Sequence, residues 1–208
     1  MQIISHRGFW KSQLEKNTLI STKRSIDAGY GVEIDIRDAK NELIVSHDVP
    51  AHDSIKFSKH LELDAAKTAI WAVNIKADGI GNMLAEELGK KSIVNYFAFD
   101  MSIPEMYVYS LKKIKFFTSV SDLCKTPVLL DEASGVWLDS FNGLWYDKNL
   151  ITKYLLLGKK VCVVSEELHG RSYERQWHLL KEICDHTLSA NIMICTDFPD
   201  SAKEYFDD

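Results

Sequence analysis

Short β-branched or aromatic runs recur along the chain, and most are followed by a stretch with helical spacing of apolar positions. The runs are Gln2 to Ser5, Val32 to Ile36, Ile70 to Ile75, Asn95 to Phe99, Lys115 to Thr118, Val136 to Leu138, Val161 to Val164 and Ile192 to Cys195. Helical patterns fall at Asn17 to Ala28, Gly81 to Lys90, Ile103 to Lys113, Lys148 to Leu157, Tyr173 to His186 and Pro199 to Phe206. Asp197 is the expected N-cap of the last helix, with Pro199 supplying a pre-set φ in its first turn. Residues 53–67 and 122–134 carry no clear period.

Alternating strands and helices demand parallel strands joined by right-handed crossovers. Eight such units in 208 residues come to about 26 residues each, near the lower size limit of a (β/α)8 barrel, whereas an open doubly wound sheet uses fewer strands. No repeat, low-complexity tract or linker interrupts the pattern. The expectation is an α/β protein with one compact TIM-type barrel domain spanning residues 1–208.

Composition narrows the partners. With 46% apolar and 26% charged residues the chain can bury a full core, so disorder and fibre are excluded. Lys and Arg number 25 against 30 Asp and Glu, a net charge of −5, and no basic cluster tracks a phosphate backbone. A nucleic-acid partner is therefore not expected. The longest uncharged apolar runs, such as Tyr154 to Leu157 and Val161 to Val164, fall far short of the roughly 20 residues that span a bilayer. The start, Met1 to Gly8, lacks the cationic and apolar segments of a secretory signal, which points to a cytoplasmic protein. Cys124, Cys162, Cys184 and Cys195 form no C-x-x-C pair and read as reduced thiols.

In a barrel, chemistry belongs where strands end at their C-terminal side. His6 and Arg7 follow the first strand, Glu33 and Asp35 lie in the second, His47 and Asp48 follow the run Leu43 to Ser46, and Asn74 and Lys76 close the third. A period of two places Glu33 and Asp35 on one face, and likewise Asn74 and Lys76. Two carboxylates that close repel by about 3 to 4 kcal/mol at an effective dielectric near 20. A shared proton, a basic neighbour or a divalent cation can each offset this, and an oxygen-rich site favours Mg²⁺ or Ca²⁺ over zinc. His6 and His47 can exchange protons near neutral pH. Arg7 and Lys76 add fixed positive charge for an anion. Together these groups suggest cleavage of a phosphodiester.

The order His6-Arg7-Gly8, Glu15-Lys16-Asn17-Thr18, Glu33-x-Asp35 and His47-Asp48 resembles the glycerophosphodiester phosphodiesterase family, whose pattern runs H-R-G, E-N-T, E-x-D, H-D. Ile75-Lys76 and Thr196-Asp197-x-Pro199 resemble its later landmarks. The resemblance implies a barrel of the phosphatidylinositol phospholipase C type and a divalent metal held by Glu33 and Asp35. It also implies His6 and His47 as the acid–base pair, Arg7 as a phosphate contact, and attack by a substrate glycerol hydroxyl to give a cyclic phosphate that water opens. The expected substrate is a small, lipid-derived phosphodiester.

Three departures stand out. The family usually carries Glu two residues before the third-strand Lys; Asn74 stands here, so it is the expected third metal ligand, with weaker cation affinity unless Asp78 substitutes. E-N-T is stretched by Lys16, leaving the role of Glu15 open. The sizeable insertion that often follows H-D is nearly absent, since residues 49–69 alone separate Asp48 from Ile70. Two other readings follow: a sphingomyelinase D-like enzyme acting on lysophospholipids, which also lacks the insertion, or a catalytically impaired anion-binding barrel, for which Asn74 speaks. Glu166 and His169 are candidate pocket residues or a loop charge and a cap. Trp137 and Asp139 are candidates for one pocket wall, Trp10 and Trp145 for an apolar rim. His52, His60, His178 and His186 read as surface or packing residues.

Overall fold

The computed structural model describes residues 1–50, 54–184 and 189–207. Its strands are β1 (Gln2–Ser5), β2 (Gly31–Ala39), β3 (Glu42–Val45), β4 (Trp71–Ile75), β5 (Tyr96–Phe99), β6 (Phe117–Val120), β7 (Gly135–Leu138), β8 (Lys160–Val164) and β9 (Ile192–Thr196). The helices are α1 (Leu19–Asp27), α2 (Phe57–His60), α3 (Gly81–Lys90), α4 (Ile103–Leu111), α5 (Lys148–Leu156), α6 (Glu174–Cys184) and α7 (Pro199–Asp207). The strands hydrogen-bond in the order β5-β4-β2-β1-β9-β8-β7-β6, with β3 off this path on β2. A parallel bridge pairs Ala98 with Phe116, the Ala98 N–H donating to Lys115 O at 3.0 Å. The fold is thus the expected α/β barrel of the TIM type, its parallel strands alternating with helices.

By internal contacts the chain falls into two compact units, Ser5–Phe116 and Met1–Ile4 with Phe117–Asp208. In the first, Val32, Ile34 and Ile36 are fully buried along β2, and β4 lies parallel beside it with Glu33 opposite Ala72 and Asp35 opposite Asn74. In the second, Val136, Leu138, Val161, Val163, Ile192 and Ile194 form a core with Ile151, Tyr154 and Trp177. Strands apolar on both faces are what a parallel sheet sheathed in helices requires.

Local chemistry explains the helix starts. Thr18, Ser102 and Asp147 cap α1, α4 and α5 by accepting the N–H of Ser21, Glu105 and Leu150. Helix α7 opens at Pro199 as expected, but its cap position is Phe198 rather than Asp197: Phe198 O accepts the Ala202 N–H, and the Thr196 hydroxyl accepts the Phe198 N–H. The strand expected at Lys115 to Thr118 is also displaced and runs from Phe117 to Val120.

Strand β3 was expected only as an apolar run. It pairs antiparallel with β2 through the two-residue turn Lys40-Asn41, whose φ values of 52° and 64° are those of a mirror-image hairpin turn. Among the described residues, no helix is long and apolar enough to cross a membrane. His52 and His186 lie outside the described residues, and Cys124 is exposed while Cys162 and Cys195 are buried.

Candidate active site

The chain leaves β1 through an unusual turn. Arg7 has φ 56° and Gly8 has φ 82°, both left-handed, and a Cβ on Gly8 would stand 2.6 Å from Ser21 Oγ and 2.8 Å from Ser21 C. This close approach lets the Phe9 N–H donate to Ser21 O at 3.0 Å and the Asn17 N–H donate to Arg7 O at 2.9 Å. The Arg24 guanidinium ties the loop by donating to Phe9 O at 2.6 Å and Glu15 Oε2 at 2.8 Å. Glu15 is thereby a loop clamp, and the Arg24 bond holds its carboxyl below the usual range. Trp10 donates its indole N–H to His6 O at 3.1 Å, bracing the histidine backbone.

Glu33 and Asp35 are both buried, at 2% and 0% exposure, on one face of β2. Glu33 Oε2 accepts the Arg7 N–H at 2.9 Å. Asp35 Oδ2 lies 3.0 Å from Arg7 Nε and accepts the Asn17 amide at 2.8 Å, while its Oδ1 lies 3.4 Å from Lys76 Nζ. Arg7, Asn17, Glu33, Asp35 and Lys76 therefore meet around one pair of carboxylates. Burial, and then the neighbouring Asp35 charge, push the Glu33 carboxyl up to about 7, against the pull of His6 and the Arg7 N–H.

Asn74 sits beside Asp35 in the parallel register, and the Oδ1 atoms of both are buried without a hydrogen-bond partner. Buried oxygens are rarely left so. With a second carboxylate, Glu33, whose ionisation is opposed by burial and by Asp35, this donor set suits a hard divalent cation such as Mg²⁺ or Ca²⁺. Among the described residues no three His, Cys, Asp or Glu side chains gather closely enough to hold a metal by themselves, so the set depends on the amide of Asn74. Asp78 is not oriented to replace it: its Oδ1 accepts the Ser102 N–H at 3.2 Å, at the start of α4.

His47 follows β3 and is exposed. Its Nδ1 is 2.9 Å from Asp48 Oδ1, its carbonyl accepts Arg37 Nε–H at 3.1 Å, and the Ser46 N–H donates to Asp35 O at 3.0 Å, tying this loop to β2. A cleft of about 440 Å³ has Arg7, Lys16, Asn17, Ser46, His47 and Asp48 in its walls. Its size is that of a small-molecule site. His6 is half-buried and acts electrostatically on Glu33.

Asn17 is the residue whose role sequence reasoning left unassigned. Its φ of 60° turns its side chain so that Nδ2 donates to Asp35 and Oδ1 accepts the Asp35 N–H at 3.3 Å. The available signal was its residue type, since Asn tolerates the left-handed region better than most.

In the other unit, Glu166 pairs with Arg171 at 2.5 Å and His169 Nε2 lies 2.7 Å from Asp139 Oδ1. The Trp145 indole donates to Asp139 O at 2.8 Å and Trp137 is buried. His60 is buried against Thr22 at 2.9 Å and His178 lies 3.4 Å from Glu182 on the surface of α6.

No protein-family model matches the chain, and no curated protein matches it by sequence. Solved structures do share its fold. A glycerophosphodiester phosphodiesterase from Parabacteroides distasonis is 17% identical over 99% of this chain and 96% of its own, with a TM-score of 0.73. One from Agrobacterium tumefaciens is 16% identical over the whole of both chains, with a TM-score of 0.69. A glycerophosphoryl diester phosphodiesterase from P. distasonis is 12% identical over 99% of this chain and 86% of its own, at 0.65. At these identities the likeness is one of fold.

Proposed function

We propose that the chain is a divalent-cation-dependent phosphodiesterase that hydrolyses a small glycerophosphodiester or a related lipid-derived head-group phosphodiester. The observation that carries this reading is the meeting of Arg7, Asn17, Glu33, Asp35 and Lys76 around two buried carboxylates, with Arg7 also in the wall of the cleft that takes in His47. The fold shared with three phosphodiesterases supports it.

In this reading Glu33, Asp35 and Asn74 hold the cation, which when bound neutralises charge on the phosphoryl oxygens. Arg7 and Lys76 grip the phosphate, Arg7 through a planar fork suited to two oxygens. His6 and His47 divide the proton transfers: one imidazole takes the proton of the attacking hydroxyl and the other gives one to the departing alcohol oxygen. Each transfer contributes roughly 10²- to 10⁴-fold. Asp48 orients the His47 ring through Nδ1 and leaves Nε2 for the transfer. Attack by the substrate's own glycerol hydroxyl gives a cyclic phosphate, which water then opens.

A lysophospholipid substrate is the second reading. Leu14 and Val49 are exposed at 93% and 83%, next in sequence to Gln13 and Asp48 of the cleft wall, as an acyl chain would favour. The reading also makes the chain a cytoplasmic enzyme of lipid breakdown with no nucleic-acid partner, in line with its net charge of −5.

The test is turnover of a panel of glycerophosphodiesters and lysophospholipids with Mg²⁺, Ca²⁺ or chelator, identifying the alcohol released. Chelation, His6→Ala, His47→Ala and Glu33→Ala should each lower kcat by about 10² or more. Turnover that survives chelation and all three substitutions would place the chemistry elsewhere.

A further inference from the structure

In the unit that holds residues 117–208, an open cavity of about 370 Å³ between α6 and α7 is lined by Tyr173, Glu174, Trp177, Ser201, Glu204 and Tyr205. Tyr173 and Trp177 stack with ring centroids 4.2 Å apart, Trp177 and Tyr205 lie 5.6 Å apart, and Phe198 and Phe206 back them at 5.8 Å from Tyr173 and 5.6 Å from Trp177. The Trp177 indole N–H donates to Ser165 Oγ at 2.8 Å, and at 2% exposure the ring is the buried floor on which the half-buried Tyr173 and Tyr205 stand as the accessible aromatic walls.

Two carboxylates, Glu174 and Glu204, stand exposed in this aromatic wall, and among the described residues no basic side chain lines it. The Ser172 hydroxyl donates to Glu174 and holds that carboxyl below its ordinary range. The cluster already attracts one cation from its flank: Lys181 Nζ lies 4.8 Å over the Tyr205 ring and donates to Tyr205 O at 2.8 Å.

We propose that this cavity binds an organic cation of the quaternary-ammonium type, its methyl groups against Tyr173 and Tyr205 and its charge answered by Glu174 and Glu204. Aromatic faces attract bulky, weakly hydrated cations. A hard metal ion needs a cage of six or more oxygens, which these six residues do not form. A neutral apolar ligand would desolvate two carboxylates with no countercharge.

Calorimetric titration of the full chain with choline, with its neutral carbon isostere dimethylbutanol and with sodium chloride at matched ionic strength tests the site. The Glu174→Gln/Glu204→Gln double variant, altered only at exposed positions, is titrated in parallel. Choline should saturate, with the isostere about tenfold weaker and the double variant losing about tenfold. Equal binding of choline and isostere would reduce the cavity to an apolar crevice. Choline affinity unmoved in the double variant, or no saturation by about 100 mM, would equally overturn the proposal.

Discussion

Arg7 Nε and Asp35 Oδ2 stand 3.0 Å apart, joining the turn after β1 to a carboxylate that is fully buried in β2. Lys76 and Asn17 converge on the same carboxylate, so one side chain organises the exits of β1, β2 and β4. Asp35→Asn leaves two partly exposed cations facing an amide. The expected cost is about 3 kcal/mol, the low end for a broken buried pair because Arg7 and Lys76 reach solvent. Urea unfolding reads it, with the proposed phosphodiesterase turnover expected to be lost in the same variant. Arg7→Lys keeps the charge without the fork, so turnover should fall much further than stability.

Gly8 is fixed by space as well as by φ. Gly8→Ala drives a Cβ to 2.6 Å from Ser21 Oγ and 2.8 Å from its backbone carbon, and should cost about 3 kcal/mol or more. Gly29→Ala is the control: φ is 79° there, close to that of Gly8, but nothing lies within 4 Å of the added Cβ, and the expected cost is about 1 kcal/mol. Equal losses at the two positions would mean the turn after β1 yields easily.

His60 should make stability fall with acid. Burial pushes its imidazole down from 6.5 to about 4, so below pH 6.5 the unfolded chain binds a proton that the folded chain refuses. Stability is retained above pH 6.5 and falls as pH drops through that window, by about 3 kcal/mol in all. Glu33, raised to about 7, acts with opposite sign over part of the same range. The measurement is therefore the difference between the native chain and His60→Asn, which keeps an acceptor for Thr22, in denaturant titrations in chelator from pH 7 to about 4. A His60→Asn curve parallel to the native one would show that the ring is solvated.

Much of this architecture was legible because parallel strands sheathed in helices must be apolar on both faces, as Val161 to Val164 and Ile192 to Cys195 are. Strand β3 was not, since its turn needs two left-handed residues and Lys40 gives no hint of that. Helix α2 has four residues, too few to show a period. At the site, alternation alone paired Glu33 with Asp35. The Asn17–Asp35 bond depends on how the loop after β1 closes over α1, and the Thr22–His60 bond spans 38 positions. Local patterning records neither contact.

Asn74 offers the most direct test of the cation. It faces Asp35 across the β2–β4 register; its Oδ1 is buried without a hydrogen-bond partner, and Asp35 Oδ1 has the Lys76 ammonium at 3.4 Å. Asn74→Asp adds a third carboxylate to a place where the Asp35 charge already helps push Glu33 up to about 7. In chelator the added repulsion should lower stability by about 1 to 2 kcal/mol and the Tm with it. With Mg²⁺ or Ca²⁺ the extra charged ligand should instead raise affinity about tenfold, about 1.4 kcal/mol, which offsets that loss, so the variant's Tm rises to meet that of the native chain. Thermal unfolding in chelator and in saturating cation, with calorimetric titration of each ion, reads the loss and its rescue from one protein. A variant destabilised in chelator and not rescued by either ion would show that no cation sits between these strands, and that Arg7 and Lys76 alone balance the carboxylates.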